Sequence, residues 1–146
     1  MYTCLNCVTE AEGEPAAVLI RGGEPADAQS ADLLSNSRFG CAAADMSSYQ
    51  RKNFLNGPGK LCKALSLTTK ENGLSLMGST LYILDAGETP DAIYTGKRIG
   101  IDYAEEAADF PWRFYLCYSL IWTVRSSTPT GSGGKWITPL WQNVAW

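Results

Sequence analysis

A chain of 146 residues with 45% hydrophobic and 18% charged side chains has material for one domain with a real core, and is too apolar to be disordered throughout. Its formal charge of −3 and pI near 4.9 exclude a protein that coats nucleic acid by bulk charge, so any contact with DNA has to come from a local patch. There is no histidine, which removes Ser-His and Cys-His catalysis.

In chain order, Tyr2 to Val8 is β-prone, and the glutamate-, glycine- and proline-bearing stretch Thr9 to Pro15 suits a hairpin turn. Ala16 to Arg21 reads as a second strand stopped by Gly22-Gly23-Glu24-Pro25, and the two strands are expected to pair antiparallel. Ala26 to Asn36 is expected to be a helix, and the small, polar run Ser37 to Ser48 a loop or short helix. A further helix is expected from Pro58 to about Leu67, capped by Asn56 or Gly57, with Leu61, Ala64 and Leu65 on one face. Thr80 to Leu84 reads as a strand, and Ile93 to Ile101 as β-like with glycine interruptions. Asp102 is placed to cap a short helix with Glu105 at the capping-box position, and Pro111 to Tyr115 leads into a last strand. From Leu116 the character changes: tryptophans accumulate, Arg125 and Lys135 are the only charges, and 126–134 is linker-like. The expected division is a domain over 1–115 and a Trp/Gly/Ser-rich tail over 116–146.

Charge singles out one segment. Between Arg51 and Lys70 there are five basic side chains and no acid, so the rest of the chain sums to −8. Such a helix face is ordinarily just solvated. A basic helix start is also an anion site, which makes Lys60, Gly59 and Lys63 candidate phosphate contacts. The five cysteines (Cys4, Cys7, Cys41, Cys62 and Cys117) are too scattered for a disulfide framework. Cys4-x-x-Cys7 is half a zinc motif with no second half, and on a strand its two thiols would point to opposite faces, so no metal site is expected. No apolar run is long enough to span a membrane and the first residues lack a signal-peptide pattern, so the expected location is cytoplasmic.

Several motifs, in order, carry a resemblance. Met1-Tyr2-Thr3-Cys4-Leu5-Asn6-Cys7-Val8, then Val18-Leu19-Ile20-Arg21 with Glu24-Pro25, then Asn56-Gly57-Pro58-Gly59-Lys60-Leu61-Cys62-Lys63-Ala64-Leu65 are followed by Asn72-Gly73. Arg98-Ile99-Gly100-Ile101 and Pro111-Trp112-Arg113-Phe114-Tyr115 complete the set. Over Met1 to about Tyr115 the chain resembles the methylpurine-DNA glycosylases, also called alkyladenine or 3-methyladenine DNA glycosylases. The resemblance implies an α+β fold, an antiparallel-rich curved sheet with peripheral helices. It implies a monomer acting on double-stranded DNA without metal or cofactor, as part of base-excision repair on the bacterial nucleoid. A damaged purine is flipped from the stack and its N-glycosidic bond hydrolysed. By the same resemblance Asn6 matches the base-reading asparagine, Arg21 the arginine near the attacking water, and Met1 and Cys4 lesion-proximal positions.

On the residues alone, the favoured readings are Asn6 paired with neighbouring backbone and Arg21 as a strand-end ion pair with Glu24. The family's Thr-Glu-Ala-Tyr segment with its water-activating glutamate, its pocket histidine and its stacking and wedge tyrosines have no counterpart here. The expectation is therefore an N-terminally truncated, inactive glycosylase. The alternatives are a non-catalytic DNA-binding module using the Arg51–Lys70 surface, or a fragment without function.

Overall fold

The computed structural model describes residues 2–116, except 86, 88 and 91, together with the backbone of 140–145. The first two strands, β1 (Leu5–Val8) and β2 (Ala16–Gly22), form the expected antiparallel hairpin. Thr9 N–H donates to the Ala16 carbonyl at 3.2 Å, and the turn passes through Gly13 at φ +99°, a conformation that a side chain would strain. Alternation sorts their residues. Leu5 and Cys7 lie opposite Ile20 and Val18 on one face, and Asn6 and Val8 opposite Leu19 and Ala17 on the other. Cys7 and Ile20 are buried while Asn6 and Val8 are exposed, so the first face is the core face.

Helix α1 (Ala28–Phe39) runs past the expected end at Asn36. Asp27 caps it, accepting the Ser30 N–H at 2.7 Å while the Ser30 hydroxyl accepts the Asp27 N–H at 3.0 Å. Gly40 in the left-handed region (φ +72°) ends it. The fully buried Ser35 hydroxyl lies 2.8 Å from the Cys41 carbonyl and 3.1 Å from that of Asp32, which fastens the chain leaving α1 to its last turns. A short helix α2 (Ser48–Lys52), absent from the sequence reading, starts from a reciprocal cap between Ser47 and Gln50. Helix α3 (Pro58–Ala64) begins at the expected Gly57-Pro58, but Gly57 provides no side-chain cap. It ends at Ala64, short of Leu67. Leu65 takes the C-cap and Ser66 turns left-handed (φ +56°), its hydroxyl 2.8 Å from that of Ser37 on α1.

The remaining strands are β3 (Tyr94–Gly96), β4 (Arg113–Tyr115) and β5 (Leu140–Ala145). The sheet is antiparallel in the order β1-β2-β5-β4-β3, so a strand from the expected tail lies between β2 and β4. Helices on one side of an antiparallel sheet make this an α+β fold, as expected. The core gathers Cys7 and Ile20 from the sheet, Leu55, and Leu61 and Ala64 from α3, with Leu5, Leu34, Phe54 and Leu76 packed around them.

One expected strand does not form, and one expected helix takes another form. Among the described residues Thr80 to Leu84 makes a single bridge, Met77 opposite Tyr82, with Met77 95% and Leu84 77% exposed, so the segment lacks the burial a strand needs. The expected Asp102-capped helix is a pair of 3₁₀ turns over Asp102–Ala108. Its N-cap is Ile101, and a kink at Ala104 and Glu105 (φ +49°) removes the capping box.

Candidate nucleic-acid interface

The sheet face turned away from the helices presents one transverse row. Asn6 lies opposite Leu19, Leu19 opposite Gln142, Gln142 opposite Arg113, and Arg113 opposite Gly96, so one register line crosses all five strands. Asn6 is exposed and its amide makes no hydrogen bond among the described residues, so the alternative of a backbone-paired asparagine is not what the structure shows. Arg21 stands two residues beyond Leu19, where the register of β2 against β5 slips between Ile20 and Gly22. Bulges of this kind re-aim a side chain and recur beside functional sites. The half-buried Arg21 side chain makes no hydrogen bond or ion pair among the described residues. Cys4 is exposed just before β1, and Met1 lies outside the described residues.

The basic helix start reaches the same end of the sheet, where β1 begins and β2 finishes. A Cβ on Gly22 would meet the Leu55 carbonyl at 2.6 Å, and Gly23 N–H donates to that carbonyl at 3.4 Å. A Cβ on Gly59 would meet the Tyr2 Cβ at 3.1 Å, so the chain entering β1 crosses directly over the first turn of α3. Lys60 is not a loose cation. Its ammonium donates to Asn53 Oδ1 at 2.9 Å and Asn56 Oδ1 at 2.7 Å. Both acceptors are neutral, so the charge is held in place without being cancelled. Lys63 is exposed on the last turn of α3, further from this end, and its side chain has no partner among the described residues. Cys4, Arg21, Gly59 and Lys60 are thus gathered at one end of the sheet, with Asn6 on the open face beside them and Lys63 apart.

Arg113, the cation on the open row, has no signal in the sequence, because its neighbours are defined only by strand pairing. None of the five described strands contains an aspartate or glutamate. Among the described residues no group of three or more His, Cys, Asp or Glu side chains gathers as a metal site. Burial pushes the Cys7 thiol up, and the Cys62 thiol is raised by burial and by its proximity to Cys4. Among the described residues no helix is long and apolar enough to cross a membrane.

An antiparallel sheet backed by helices, with an asparagine and two arginines on or beside its open face, is a platform suited to a polyanion with readable edges. In comparison with known proteins, residues 1–119 match the family described as Methylpurine-DNA glycosylase (MPG), and the chain belongs to that family. It is 47% identical over 116 residues to a protein of Desulfitobacterium hafniense (strain Y51) and 49% identical over 116 residues to one of Clostridium novyi (strain NT). It is 48% identical over 126 residues to one of Clostridioides difficile (strain 630). Each relative bears the name "Putative 3-methyladenine DNA glycosylase". The matches cover 80% of this chain but 56%, 56% and 61% of those relatives, so the chain spans little more than half their length. No solved structure matches the chain at a significant level.

Proposed function

We propose that this chain carries the lesion-reading half of a 3-methyladenine DNA glycosylase, built on a glycosylase-type curved sheet. Its ligand is double-stranded DNA holding an alkylated or deaminated purine, bound by a monomer. The observation that carries the reading is the open-face Asn6 beside Arg21 at its bulge, both with unused polar groups, in a chain of this family. Asn6 meets the edge of a flipped purine, where its amide can both donate and accept. Arg21 stabilises negative charge near the attacking water, with Cys4 and Met1 flanking the base. Lys60, with the Gly59 backbone beside it, takes a phosphate; its two asparagine partners fix it in place before DNA arrives. Lys63 adds a weaker contact. No metal or cofactor takes part.

Hydrolysis needs a base to activate water, and none of the five strands supplies a carboxylate. The chain by itself therefore binds damaged DNA without cleaving the glycosidic bond, and the complete activity belongs to a protein with that group. The test is titration of labelled duplexes with and without a central hypoxanthine, together with single-turnover excision. Tighter binding to the damaged duplex is expected, reduced about tenfold by Asn6→Ala, with no base released. Equal affinity for both duplexes in the unaltered chain would overturn the lesion-reading assignment, and lesion-dependent release would overturn the absence of catalysis. Lys60→Ala is expected to weaken both duplexes alike and to lower the salt slope by about one unit.

A further inference from the structure

At the far end of the open row, three residues form a cluster to which the reading above gives no role. The Arg113 guanidinium lies 5.2 Å from the centre of the Tyr115 ring, and Tyr115 stacks on Tyr94 with ring centres 6.0 Å apart and planes at 25°. The glycine opposite Arg113 makes this possible: a Cβ on Gly96 would meet Arg113 Nη2 at 3.1 Å, so the guanidinium lies flat across the bare backbone of β3. Arg113 Nε is buried without a partner. Its terminal nitrogens make no hydrogen bond among the described residues, and the ion pair found there, Lys97 with Asp109, does not involve it. A guanidinium resting on an aromatic ring keeps its edge donors free for a planar anion. Tyr94, on the outermost strand, is 47% exposed, which leaves its ring open to a second stacking partner.

We propose that Arg113, Tyr94 and Tyr115 form a second DNA contact, in which Arg113 takes a backbone phosphate and the Tyr94 ring stacks on an adjoining nucleotide. The proposal rests on the DNA-binding reading above and adds a place on the duplex to it. Asn6 and Arg113 share the register line but are three strand spacings apart, about 14 Å at 4.7–4.9 Å per strand. That span is roughly four nucleotide steps at 3.4 Å each, so the phosphate belongs to the flank of the lesion and the contact is indifferent to damage. Tyr115 touches no DNA; it is a positioning residue that holds the guanidinium and the outer ring in place.

The test compares the full chain with Arg113→Gln, Arg113→Lys, Gly96→Ala and Tyr94→Ala on damaged and undamaged duplexes across a range of salt, with folding checked by circular dichroism. Arg113→Gln is expected to lower the salt slope by about 0.9, which is roughly an eightfold loss at 0.1 M salt relative to 1 M, equally on both duplexes. Arg113→Lys keeps the slope but loses affinity, because the flat fork is gone. Gly96→Ala weakens binding by displacing the guanidinium without changing any charge. Tyr94→Ala weakens binding severalfold at every salt concentration with the slope unchanged, because stacking releases no counterion. An unchanged slope in folded Arg113→Gln, or unchanged affinity in Tyr94→Ala, overturns this contact while leaving the Asn6 site standing. Failure of the unaltered chain to bind any duplex overturns both readings together. If Arg113→Gln does not fold, the exposed Tyr94 and the charge-conserving lysine variant still decide the matter.

Discussion

At the scale of single residues, polar side chains here are fixed mainly by neighbours close in sequence. Asp27 shows this through its titration. Hydrogen bonds from the Ser30 side chain and backbone hold its carboxyl below the ordinary value of 3.8. A carboxylate with a depressed folded-state pKa contributes stability above its unfolded pKa and loses it as pH falls through the folded one. Asp27→Ala is therefore expected to lower the urea midpoint at neutral pH, with the difference from the unaltered chain shrinking below about pH 4. Asp27→Asn keeps a cap and should show a smaller difference that does not vary with pH; a constant gap for alanine would remove the carboxylate from the account. The Ser47 and Gln50 cap of α2 is legible as Ser-x-x-Gln, but the five-residue helix it starts is too short to show an apolar period. The pinning of Lys60 was not legible, since Asn53 and Asn56 lie in irregular chain before α3, where no periodicity says which way they face.

At the scale of elements, local pattern succeeded wherever one face was buried. The β-prone runs of β1 and β2 with their bounding turn residues, and the Gly57-Pro58 start of α3, gave three elements close to where they stand, and each places a residue in the core: Cys7, Ile20 and Leu61. It failed at 80–84 and 102–108, where apolar or capping residues have the right spacing but no described residue is fully buried. A close seam lies between β2 and the chain entering α3. Gly22→Ala would push a methyl into the Leu55 carbonyl, now 2.6 Å from the ideal Cβ position. Overpacking of this kind costs about 1–3 kcal/mol. The expected result is a lower urea midpoint with an unchanged slope, and weakened binding because Arg21 next door is displaced; a midpoint equal to that of the unaltered chain would show that the seam yields freely.

At the scale of the whole molecule, the sheet order was beyond any local reading. The strand that joins β2 to β4 comes from the far end of the chain, so the row from Asn6 to Gly96 exists only through a pairing of 140–145 with residues more than a hundred positions earlier. Such long-range pairing leaves no short-period signal. Its consequence is testable by deleting 140–146. The three-residue strands β3 and β4 would lose their link to the hairpin, and β2 would become an open edge. A lower thermal midpoint and concentration-dependent association in sedimentation are expected; an unchanged midpoint with a monomeric species would show that the hairpin and helices stand alone.

Among the described residues Cys7 and Cys62 are 6% and 1% exposed, with their thiols raised by burial, whereas Cys4 is exposed and Cys41 half-buried. Only a thiolate is a good nucleophile. Alkylating electrophiles attack thiolates in preference to thiols. Here the two core sulfurs stay protonated and shielded while the fold persists. Among the described residues an alkylating electrophile therefore meets the sulfurs of Cys4 and Cys41 before the two in the core, and the packing around Cys7 and Cys62 is shielded from it.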